Sequence, residues 1–437
     1  MNRQSSSNFM TRLCRGVSLL ALLSLASPVI PHAQGKQKGD APSCDPGSWT
    51  EAAPVAIDHF GGFMDSDGTY GYEGGGYAFS TGDNILQFGR FDPVANTWTP
   101  LAPVPDSNNG EASGVYAPNV NKLFVFGGEE IAFATVVNTT RIYDIATNKW
   151  STGAPMPDIR AFMGAGYWNG KIYLVGGYNS GNVDPAFSQV WEYDTVANTW
   201  NTNKASMPVA LGGPGSGVIN GHLYIAGGRD INNTNYNTLY DYDIAANTWT
   251  TRASLPEGTN VPSSAVIGGQ LWVVGGGNPF LGSASLPTGK SIFGPDTSNS
   301  LQIYDPASNS WTTGPGMNEF RSFAAGCAVG DTAVAVGGYD GFGSVTSAEI
   351  NKADCGGGSI TLTADVIRQS GKRFVALTWS PANGGGMNVF RNGDLIASTS
   401  DDGFTKSQLG NHTGEFSYQV CKTDTGTCSN EVTVRVH

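Results

Sequence analysis

The chain has 437 residues, of which 60 are glycine, and a formal net charge of −12 at pH 7. Glycine is about twice as frequent as in an average protein, which favours a turn-rich β protein. The acidic balance argues against a nucleic-acid partner, because phosphate binding requires a basic surface. The length is enough for one large domain and a small second module.

Residues 1–33 have the pattern of a secretory signal peptide. Three arginines precede an apolar run from Val17 to Ile30, which is too short to span a bilayer. Cleavage after Ala26 and cleavage after Ala33 both fit the pattern. No other stretch is long and apolar enough for a transmembrane helix. We therefore expect a secreted protein, extracellular or periplasmic, with no transmembrane segment in the mature chain.

Most of the remaining chain consists of similar units of about fifty residues. A pair of glycines is followed by an aromatic residue and an aspartate, and a tryptophan stands seven residues after the aromatic. The glycine pairs begin at Gly127, Gly176, Gly227, Gly275 and Gly337, with Gly74 as an earlier candidate. The aromatic residues and their tryptophans are Phe91 and Trp98, Tyr143 and Trp150, Tyr193 and Trp200, Tyr242 and Trp249, and Tyr304 and Trp311.

Five copies of this order resemble the kelch repeat, whose unit is one four-stranded blade of a β-propeller. Short apolar runs such as Lys171–Val175 and Leu223–Ala226 stand directly before glycine pairs, as buried strands would. The tryptophans and tyrosines supply apolar area between blades. We therefore interpret the motif residues as structural, and we predict a propeller domain over residues 42–355.

Two incomplete units at the ends of this region complement each other. Trp49 has no glycine pair before it, whereas Gly337 and the strand-like Ser347–Asn351 have no tryptophan after them. We predict that together they form one blade, which gives six blades closed by an N-terminal strand and leaves no open sheet edge. Cys44 and Cys355 stand at the join, and export favours a disulfide between them over two free thiols.

Residues 359–437 differ in character from the repeats. Several short strand-like runs and one strand-borne tryptophan, Trp379, resemble a fibronectin type III-like β-sandwich. Cys421 and Cys428 bracket a short polar segment and are predicted to form a disulfide across a hairpin. Cys327 is then left over, and we expect it to be a buried, inert thiol.

One face of the propeller is the predicted binding face. Strands in a blade alternate in direction, so the start of the first strand and the end of the second lie on the same face. Counting sixteen residues back from the first glycine gives one position per blade on that face. The positions are Asp58 or His59, Glu111, Arg160, Leu211, Thr259 or Asn260, and Arg321.

In ligand-binding kelch propellers, arginines at this position line a central pocket, so the resemblance implies Arg160 and Arg321 as ligand-binding residues. A guanidinium group suits a carboxylate or another anion. The alternative is that Glu111 pairs with Arg160 on a neighbouring blade and that both are structural. The predicted site also includes His59 and residues that follow glycine pairs and rim the same face. These rim residues are Arg229 and Asp230, with Glu129, Glu130, Tyr339 and Asp340.

Two further segments stand out. The connection from Gly276 to Tyr304 is longer than its counterparts because of an insertion, Asn278–Ser298. Three roles are open for it: it contacts a partner, it covers the pocket, or it has no function. Asp65-Ser-Asp-Gly68 resembles the start of a calcium loop but lacks the closing glutamate, so we interpret it as a turn and expect no metal.

We predict a monomeric binding protein, without a cofactor, that recognises a glycan or a protein ligand on this face. The copper site of galactose oxidase, another kelch propeller, finds no match, since the only propeller histidines are His59 and His222 and Cys327 has no evident partner. One alternative is a sugar mutarotase or epimerase resembling the sialic-acid mutarotases, with Glu111 as the acid-base group. Another is a structural or adhesive surface protein. We favour a non-enzymatic role.

Overall fold

The computed structural model describes residues 44–130, 135–179, 186–280, 284–285, 291–292, 294, 296–355, 361–369, 372–380, 386–400, 404–409, 412–422 and 429–436. The regular structure over these ranges is entirely β, and no described residue belongs to a helix that could cross a membrane. The predicted signal peptide, residues 1–33, lies outside the described residues.

The described residues of the repeat region form thirty strands. They are β1 (Trp49–Ala52), β2 (Phe63–Ser66), β3 (Gly71–Gly74), β4 (Tyr77–Ala78), β5 (Asp83–Asn84), β6 (Phe88–Asp92), β7 (Thr97–Pro100), β8 (Ser113–Ala117), β9 (Lys122–Phe126), β10 (Glu129–Glu130), β11 (Thr135–Val136), β12 (Thr140–Asp144), β13 (Lys149–Thr152), β14 (Gly164–Trp168), β15 (Lys171–Val175), β16 (Val190–Asp194), β17 (Thr199–Asn201), β18 (Gly215–Ile219), β19 (His222–Ala226), β20 (Leu239–Asp243), β21 (Thr248–Arg252), β22 (Ser263–Ile267), β23 (Gln270–Val274), β24 (Ala284–Ser285), β25 (Ser291–Ile292), β26 (Leu301–Asp305), β27 (Ser310–Gly314), β28 (Ala325–Val329), β29 (Thr332–Val336) and β30 (Ala348–Lys352).

These strands build antiparallel sheets of four. The orders are β2-β3-β6-β7, β8-β9-β12-β13, β14-β15-β16-β17, β18-β19-β20-β21, β22-β23-β26-β27 and β28-β29-β30-β1, called sheets 1 to 6 below. The first strand of each sheet contacts the first strand of the next, and β28 contacts β2. Two-stranded hairpins, β4-β5, β10-β11 and β24-β25, extend three of the connections between second and third strands. We call the side with these connections, such as 227–238 and 337–347, the loop face.

A ring of backbone hydrogen bonds joins the sheets around the axis. One residue per sheet, two positions before the first strand, has a positive φ, and its N–H donates to the carbonyl oxygen of the equivalent residue in the preceding sheet. The donors and acceptors are Glu111 to Gly61, Phe162 to Glu111, Gly213 to Phe162, Val261 to Gly213, Phe323 to Val261 and Gly61 to Phe323. The bonds are 2.7–2.9 Å long, and we call these residues the inner ring.

The tyrosine and tryptophan of each repeat, together with an asparagine between them, connect adjacent sheets at the end opposite the loop face. Asn198 has a φ of 55°, and its Oδ1 accepts hydrogen bonds from the Tyr193 hydroxyl and from the Ala154 N–H of the preceding sheet, both at 2.6 Å. Trp200 Nε1 donates to the carbonyl oxygen of the same alanine at 3.1 Å. The pattern recurs at Asn148, Asn247 and Asn309. The structural interpretation of these residues therefore has a specific cause, which is the joining of neighbouring sheets.

The glycine pair of the first unit is shifted by one residue from the prediction. Gly74 ends β3, whereas Gly75 and Gly76 have φ values of 71° and 93°. These values match the 71° and 89° of Gly176 and Gly177. A run of three glycines hid the correct pair in the sequence.

The two ends of the repeat region meet in sheet 6. β1 pairs antiparallel with β30, with Trp49 opposite Asn351 and Ala52 opposite Ala348. A disulfide joins Cys44 to Cys355, 311 positions apart in the sequence.

The strands after the repeat region form two further sheets. They are β31 (Thr361–Gln369), β32 (Lys372–Ser380), β33 (Gly386–Arg391), β34 (Asp394–Ser400), β35 (Phe404–Gln408), β36 (Gly414–Lys422) and β37 (Val432–Val436). One sheet has the order β31-β32-β35 and the other β34-β33-β36-β37. Trp379 and Tyr418 are buried in their common core. Cys428 lies outside the described residues, so its predicted bond to Cys421 is not described.

Loss of the Cys44–Cys355 disulfide is expected to lower the free energy of unfolding by roughly 3–5 kcal/mol, because the cross-link restricts a very long loop of the unfolded chain. Denaturant unfolding of the oxidised wild type and of Cys44→Ser/Cys355→Ser measures the difference. Cys327→Ala is the control, since it removes a buried thiol outside any cross-link. Equal unfolding midpoints for the wild type and the double variant would contradict the expectation.

Candidate functional site

A second set of residues lies above the inner ring on the loop face. Each follows a glycine pair and pairs with the residue just before the inner-ring position of its own sheet. The six residues, called the upper layer below, are Tyr77, Glu129, Tyr178, Arg229, Gly277 and Tyr339. Their aromatic members pack in one buried cluster with aromatic residues of the inner ring, such as Phe162 and Phe323. Aromatic side chains therefore close the loop face at the axis. Glu129 and Arg229 are the charged residues of the upper layer.

Arg160 is buried within the fold. Its guanidinium donates to Asp158 Oδ2 at 3.0 Å and to the carbonyl oxygen of Ile159 at 2.8 Å. Its Cζ lies 3.3 Å from the centroid of the Phe187 ring and 4.8 Å from that of Trp191. Burial outweighs the Asp158 contact and lowers the pKa of Arg160. The side chain thus packs on aromatic rings of its own sheet.

Arg321 is fully buried and has several partners. It donates to the carbonyl oxygens of Gly337 and Ser347 at 2.8 and 2.9 Å. It also contacts Glu319 Oε2 at 2.8 Å and Glu349 Oε1 at 3.1 Å, and Glu349 is itself buried. An arginine with four such acceptors serves first to hold the entry to sheet 6.

His59 is also held inside the fold. Its Nε2 lies 2.7 Å from Glu73 Oε1, and both side chains are buried. Its Nδ1 lies 3.0 Å from the carbonyl oxygen of Ile57. Burial alone lowers the pKa of His59, but the Glu73 carboxylate and the hydrogen bonds outweigh burial, so the pKa is raised.

Glu111 lies in the inner ring itself, and not two residues before it, which is where Arg160 lies in its own sheet. Asn109 occupies that position, and its Oδ1 accepts a hydrogen bond from Gly76 N–H at 3.1 Å. The count of sixteen failed here because residues 118–121 form a four-residue turn between β8 and β9, whereas residues 169–170 form a two-residue turn between β14 and β15. The predicted alternative, a pair between Glu111 and Arg160, is absent from the ion pairs of the described residues.

The Glu111 side chain lies against sheet 1. A Cβ placed on Gly61 would come within 2.4 Å of Glu111 Oε1, so a larger residue there would displace the Glu111 carboxyl group. Its Oε1 is shielded from solvent and accepts no hydrogen bond from the described residues. The backbone of Glu111 has a φ of 54°, which is unfavourable for a residue with a side chain.

Arg229 and Asp230, although adjacent, have different roles. Asp230 accepts hydrogen bonds from the N–H groups of Asn232 and Thr234 at 2.8 and 2.9 Å and so shapes its own loop. Arg229 is 3% exposed and lies over the rings of Phe280 and Tyr178, with Cζ 3.6 and 4.6 Å from the centroids. Its Nε has no hydrogen-bond partner among the described residues.

Glu111, Glu129 and Arg229 form a charged cluster at the axis. No carboxylate oxygen of the two acids lies within 4.0 Å of an Arg229 nitrogen, yet each group affects the ionisation of the others. Burial raises the pKa of Glu129 to about 7, and Arg229 reduces this effect. Burial, followed by the charge of Glu129, raises the pKa of Glu111 well above its usual value. The chemistry of this cluster is that of two acids with raised pKa values near a desolvated cation.

A channel runs along the axis beneath the inner ring. Its main cavity of about 390 Å³ is lined by small residues of the first strands, together with Asp65 and Cys327. A smaller cavity of about 120 Å³ adjoins the inner ring and includes Glu111. Cys327 is buried, as predicted for an inert thiol, and burial raises its pKa well above the usual value.

Sequence reasoning placed Asp65 in a turn, but only part of that segment has this role. Asp67 Oδ1 accepts hydrogen bonds from the N–H groups of Thr69 and Tyr70, as a turn residue does. Asp65 instead lies in β2 and lines the channel.

The insertion between Gly276 and Tyr304 contributes Phe280 to the axis. Phe280 is buried against Phe162 and Phe323, with ring centroids 6.4 and 5.6 Å away. Residues 281–283, 286–290, 293 and 295 lie outside the described residues. The described part of the insertion therefore packs on aromatic residues of the inner ring, and its role stays a prediction.

The fold and the loop face together define an all-β protein of the β-propeller kind. The chain is a kelch-repeat protein: residues 64–276 match the family described as the KLHDC2/KLHL20/DRC7 Kelch-repeats domain, and residues 262–318 match the Kelch motif.

Relatives share the repeats but not the whole chain. Kelch-like protein terF of Aspergillus terreus is 28% identical over 226 residues, which are 47% of this chain and 47% of that protein. F-box protein AFR of Arabidopsis thaliana is 32% identical over 157 residues, 35% of this chain and 40% of that protein. The chain thus spans less than half the length of these relatives. A solved structure titled "Structure of YjhT" matches with a TM-score of 0.55 and 16% identity over 69% of this chain and 96% of that one, a likeness of fold alone.

Arg321→Met is expected to lower the free energy of unfolding by about 3–5 kcal/mol, because it leaves Glu349 buried without its cation. Adding Glu349→Gln to this variant should restore part of the loss, since the unpaired charge is then removed. Chemical denaturation of the two single variants, the double variant and the wild type gives the coupling. An unfolding midpoint of Arg321→Met equal to that of the wild type would contradict a structural role for this arginine.

Glu129→Gln is expected to become more stable relative to the wild type as the pH rises. The unfolded carboxyl group ionises near its usual pKa of 4.5, whereas the folded one keeps its proton until about pH 7. Wild-type stability therefore falls between these values, and the glutamine variant lacks this fall, a difference of order 1–3 kcal/mol above pH 7. Thermal unfolding from pH 4 to pH 8 measures it, with Glu130→Gln as the neighbouring control. Parallel pH profiles for the wild type and Glu129→Gln would rule the effect out.

Proposed function

We propose that this chain is a secreted, monomeric binding protein that recognises a ligand through the loop face of a six-bladed propeller. In this proposal residues 1–33 are the signal peptide, residues 42–355 are the propeller closed by its N-terminal strand, and residues 359–437 are a fibronectin type III-like sandwich. The four-stranded sheets, the pairing of β1 with β30 and the hydrogen-bonded inner ring support the propeller assignment.

The observation that carries the proposal is a group of exposed phenylalanines on the loop face. Phe342 is 91% exposed at the tip of a turn, Phe320 is 54% exposed just before Arg321, and Phe79 is 42% exposed. Phe79 rests on the buried ring of Tyr339, with centroids 6.2 Å apart. Aromatic residues on a rigid base are typical centres of protein interfaces. They favour a protein ligand over a glycan.

The geometry shifts the expected contacts from the axis to the rim. Arg321 and His59 belong to buried pairs, and freeing either of them would cost the energy of such a pair. Arg160 has an exposed partner, Asp158, but its guanidinium packs on the Phe187 ring, and freeing it would lose that contact. The exposed phenylalanines Phe79 and Phe342, on the outer part of the loop face, can contact a ligand without such a cost. The ligand of this proposal therefore contacts the rim.

A sugar mutarotase or epimerase is the second candidate, and one observation favours it. Glu111 combines a strongly raised pKa with a place in the wall of the channel, which is the environment of a general acid. The cationic partner would be Arg229, not Arg160 or Arg321. Loss of anomer exchange in Glu111→Gln, with sugar as substrate, would separate this candidate from a binding role.

Phe79→Ser/Phe342→Ser is expected to weaken ligand binding at least about tenfold, because it removes the apolar centre of the interface. Peptides selected from a displayed random library against the wild type serve as probes, and their affinities are measured by biolayer interferometry. Val94→Ser/Val196→Ser is the matched control, since these exposed valines lie in turns at the opposite end of the sheets.

A glycan array in parallel tests the other ligand class. Peptide binding that is equal in both double variants, or binding of glycans alone, would overturn the assignment of a protein ligand to the rim. Glycan binding that disappears in Glu111→Gln would place the site in the channel instead.

A further inference from the structure

Among the described residues, the lining of the axial channel has an acid near each end and no base. Asp65 lines the main cavity, and Glu111 lines the smaller cavity at the inner ring. None of the described residues that line either cavity is a lysine, an arginine or a histidine. Between the acids the wall consists largely of glycine, alanine, serine and a few apolar side chains such as Met163 and Val218. The wall is therefore electrostatically complementary to a cation.

Asp65 is oriented by the backbone. Its Oδ2 accepts a hydrogen bond from Tyr116 N–H on the neighbouring sheet at 2.7 Å, and its Oδ1 accepts one from Ser66 N–H at 2.8 Å. No lysine, arginine or histidine among the described residues forms an ion pair with Asp65. Each oxygen keeps acceptor capacity towards the channel.

Glu111, at the other end, is held in place but unsatisfied. Its Oε1 has no hydrogen-bond partner among the described residues, and neither has Oε2 of the adjacent Glu129, which is 4% exposed. Asn260 is fully buried beside the inner ring, and both atoms of its side-chain amide lack a partner there. A Cβ on Gly213, which lines the smaller cavity, would come within 2.4 Å of Asn260 Oδ1. Unsatisfied buried acceptors of this kind are costly without a ligand or water.

The described cluster has two acids and one cation. Arg229 can offset only one of the two carboxylates, so an ammonium group beside Glu111 would lower the pKa of that carboxyl group, which burial raises. An anion entering the channel would meet Asp65 and Glu111 and no basic lining residue. A neutral sugar would not favour the ionised form of either acid and would form no charge-assisted hydrogen bond with it. A cation with hydrogen-bond donors would satisfy both charge and acceptors.

We propose that the channel binds an extended organic amine, with one ammonium group at Asp65 and another at Glu111. Asp65 lies four residues along the chain from Gly61, which contacts Glu111, so the two carboxyl groups are on the order of 10 Å apart. A linear polyamine reaches over this distance, and its methylene groups pack on the small and apolar residues of the wall. Cavities of about 390 and 120 Å³ accommodate such a chain. This site is separate from the rim proposed for the protein ligand.

Calorimetric titration of the full chain with spermidine tests the proposal. We expect binding that weakens about tenfold in Glu111→Gln and about tenfold in Asp65→Asn, because each variant removes one charge-assisted hydrogen bond. Putrescine should bind more weakly than spermidine, since it carries two ammonium groups rather than three. Octanediol, a neutral chain of similar length, should not bind.

Glu51→Gln is the control for non-specific attraction to the acidic protein, because Glu51 is an exposed acid on β1. Spermidine affinity that falls equally in Glu51→Gln and Glu111→Gln would overturn the proposal, as would binding of octanediol or glucuronate in place of spermidine. Circular dichroism checks the fold of each variant. If Asp65→Asn does not fold, the comparison of Glu111→Gln with Glu51→Gln decides the question by itself.

Discussion

The inner ring of backbone hydrogen bonds is the constraint on which the arrangement of this fold depends. Each bond requires its residue to adopt a left-handed backbone, a conformation that glycine takes at little cost. Gly61 and Gly213 meet this requirement, whereas Val261, with a φ of 48°, is β-branched and pays a clear steric penalty. The penalty is sustained because two neighbouring sheets hold each ring residue. Side chains at these positions are therefore fixed around the axis.

Much of the fold could be predicted because its determinants are local and repeated. Tyr193, Asn198 and Trp200 stand at fixed spacings, and each contributes to the same contact with the preceding sheet. The apolar run Lys171–Val175 is buried along nearly all of its length. The exact glycine pair of the first unit was missed, since three successive glycines carry no information about φ.

The candidate site was much less predictable, for two physical reasons. Its residues are brought together by the ring closure, and a turn longer by two residues moved Glu111 out of register with Arg160. Spacing also cannot reveal whether a long side chain points to the axis or packs between strands: Arg160 lies on Phe187 and Arg321 pairs with Glu349. The proximity of Glu129 to Arg229, on different sheets, has no signal in a single sequence.

The axial acids have an energetic cost that the rest of the fold must offset. Glu111 combines a strained backbone, an unsatisfied oxygen and a carboxyl group whose pKa burial raises. A glycine at this position, as at Gly61, would remove all three costs, so stability does not explain the glutamate. Unsatisfied polar groups on a rigid scaffold are instead typical of ligand sites, where the partner supplies the missing bonds. The surrounding hydrogen-bonded ring and the disulfide stabilise the fold against such a destabilising residue, and this favours the proposal that the axis, as well as the rim, binds a ligand.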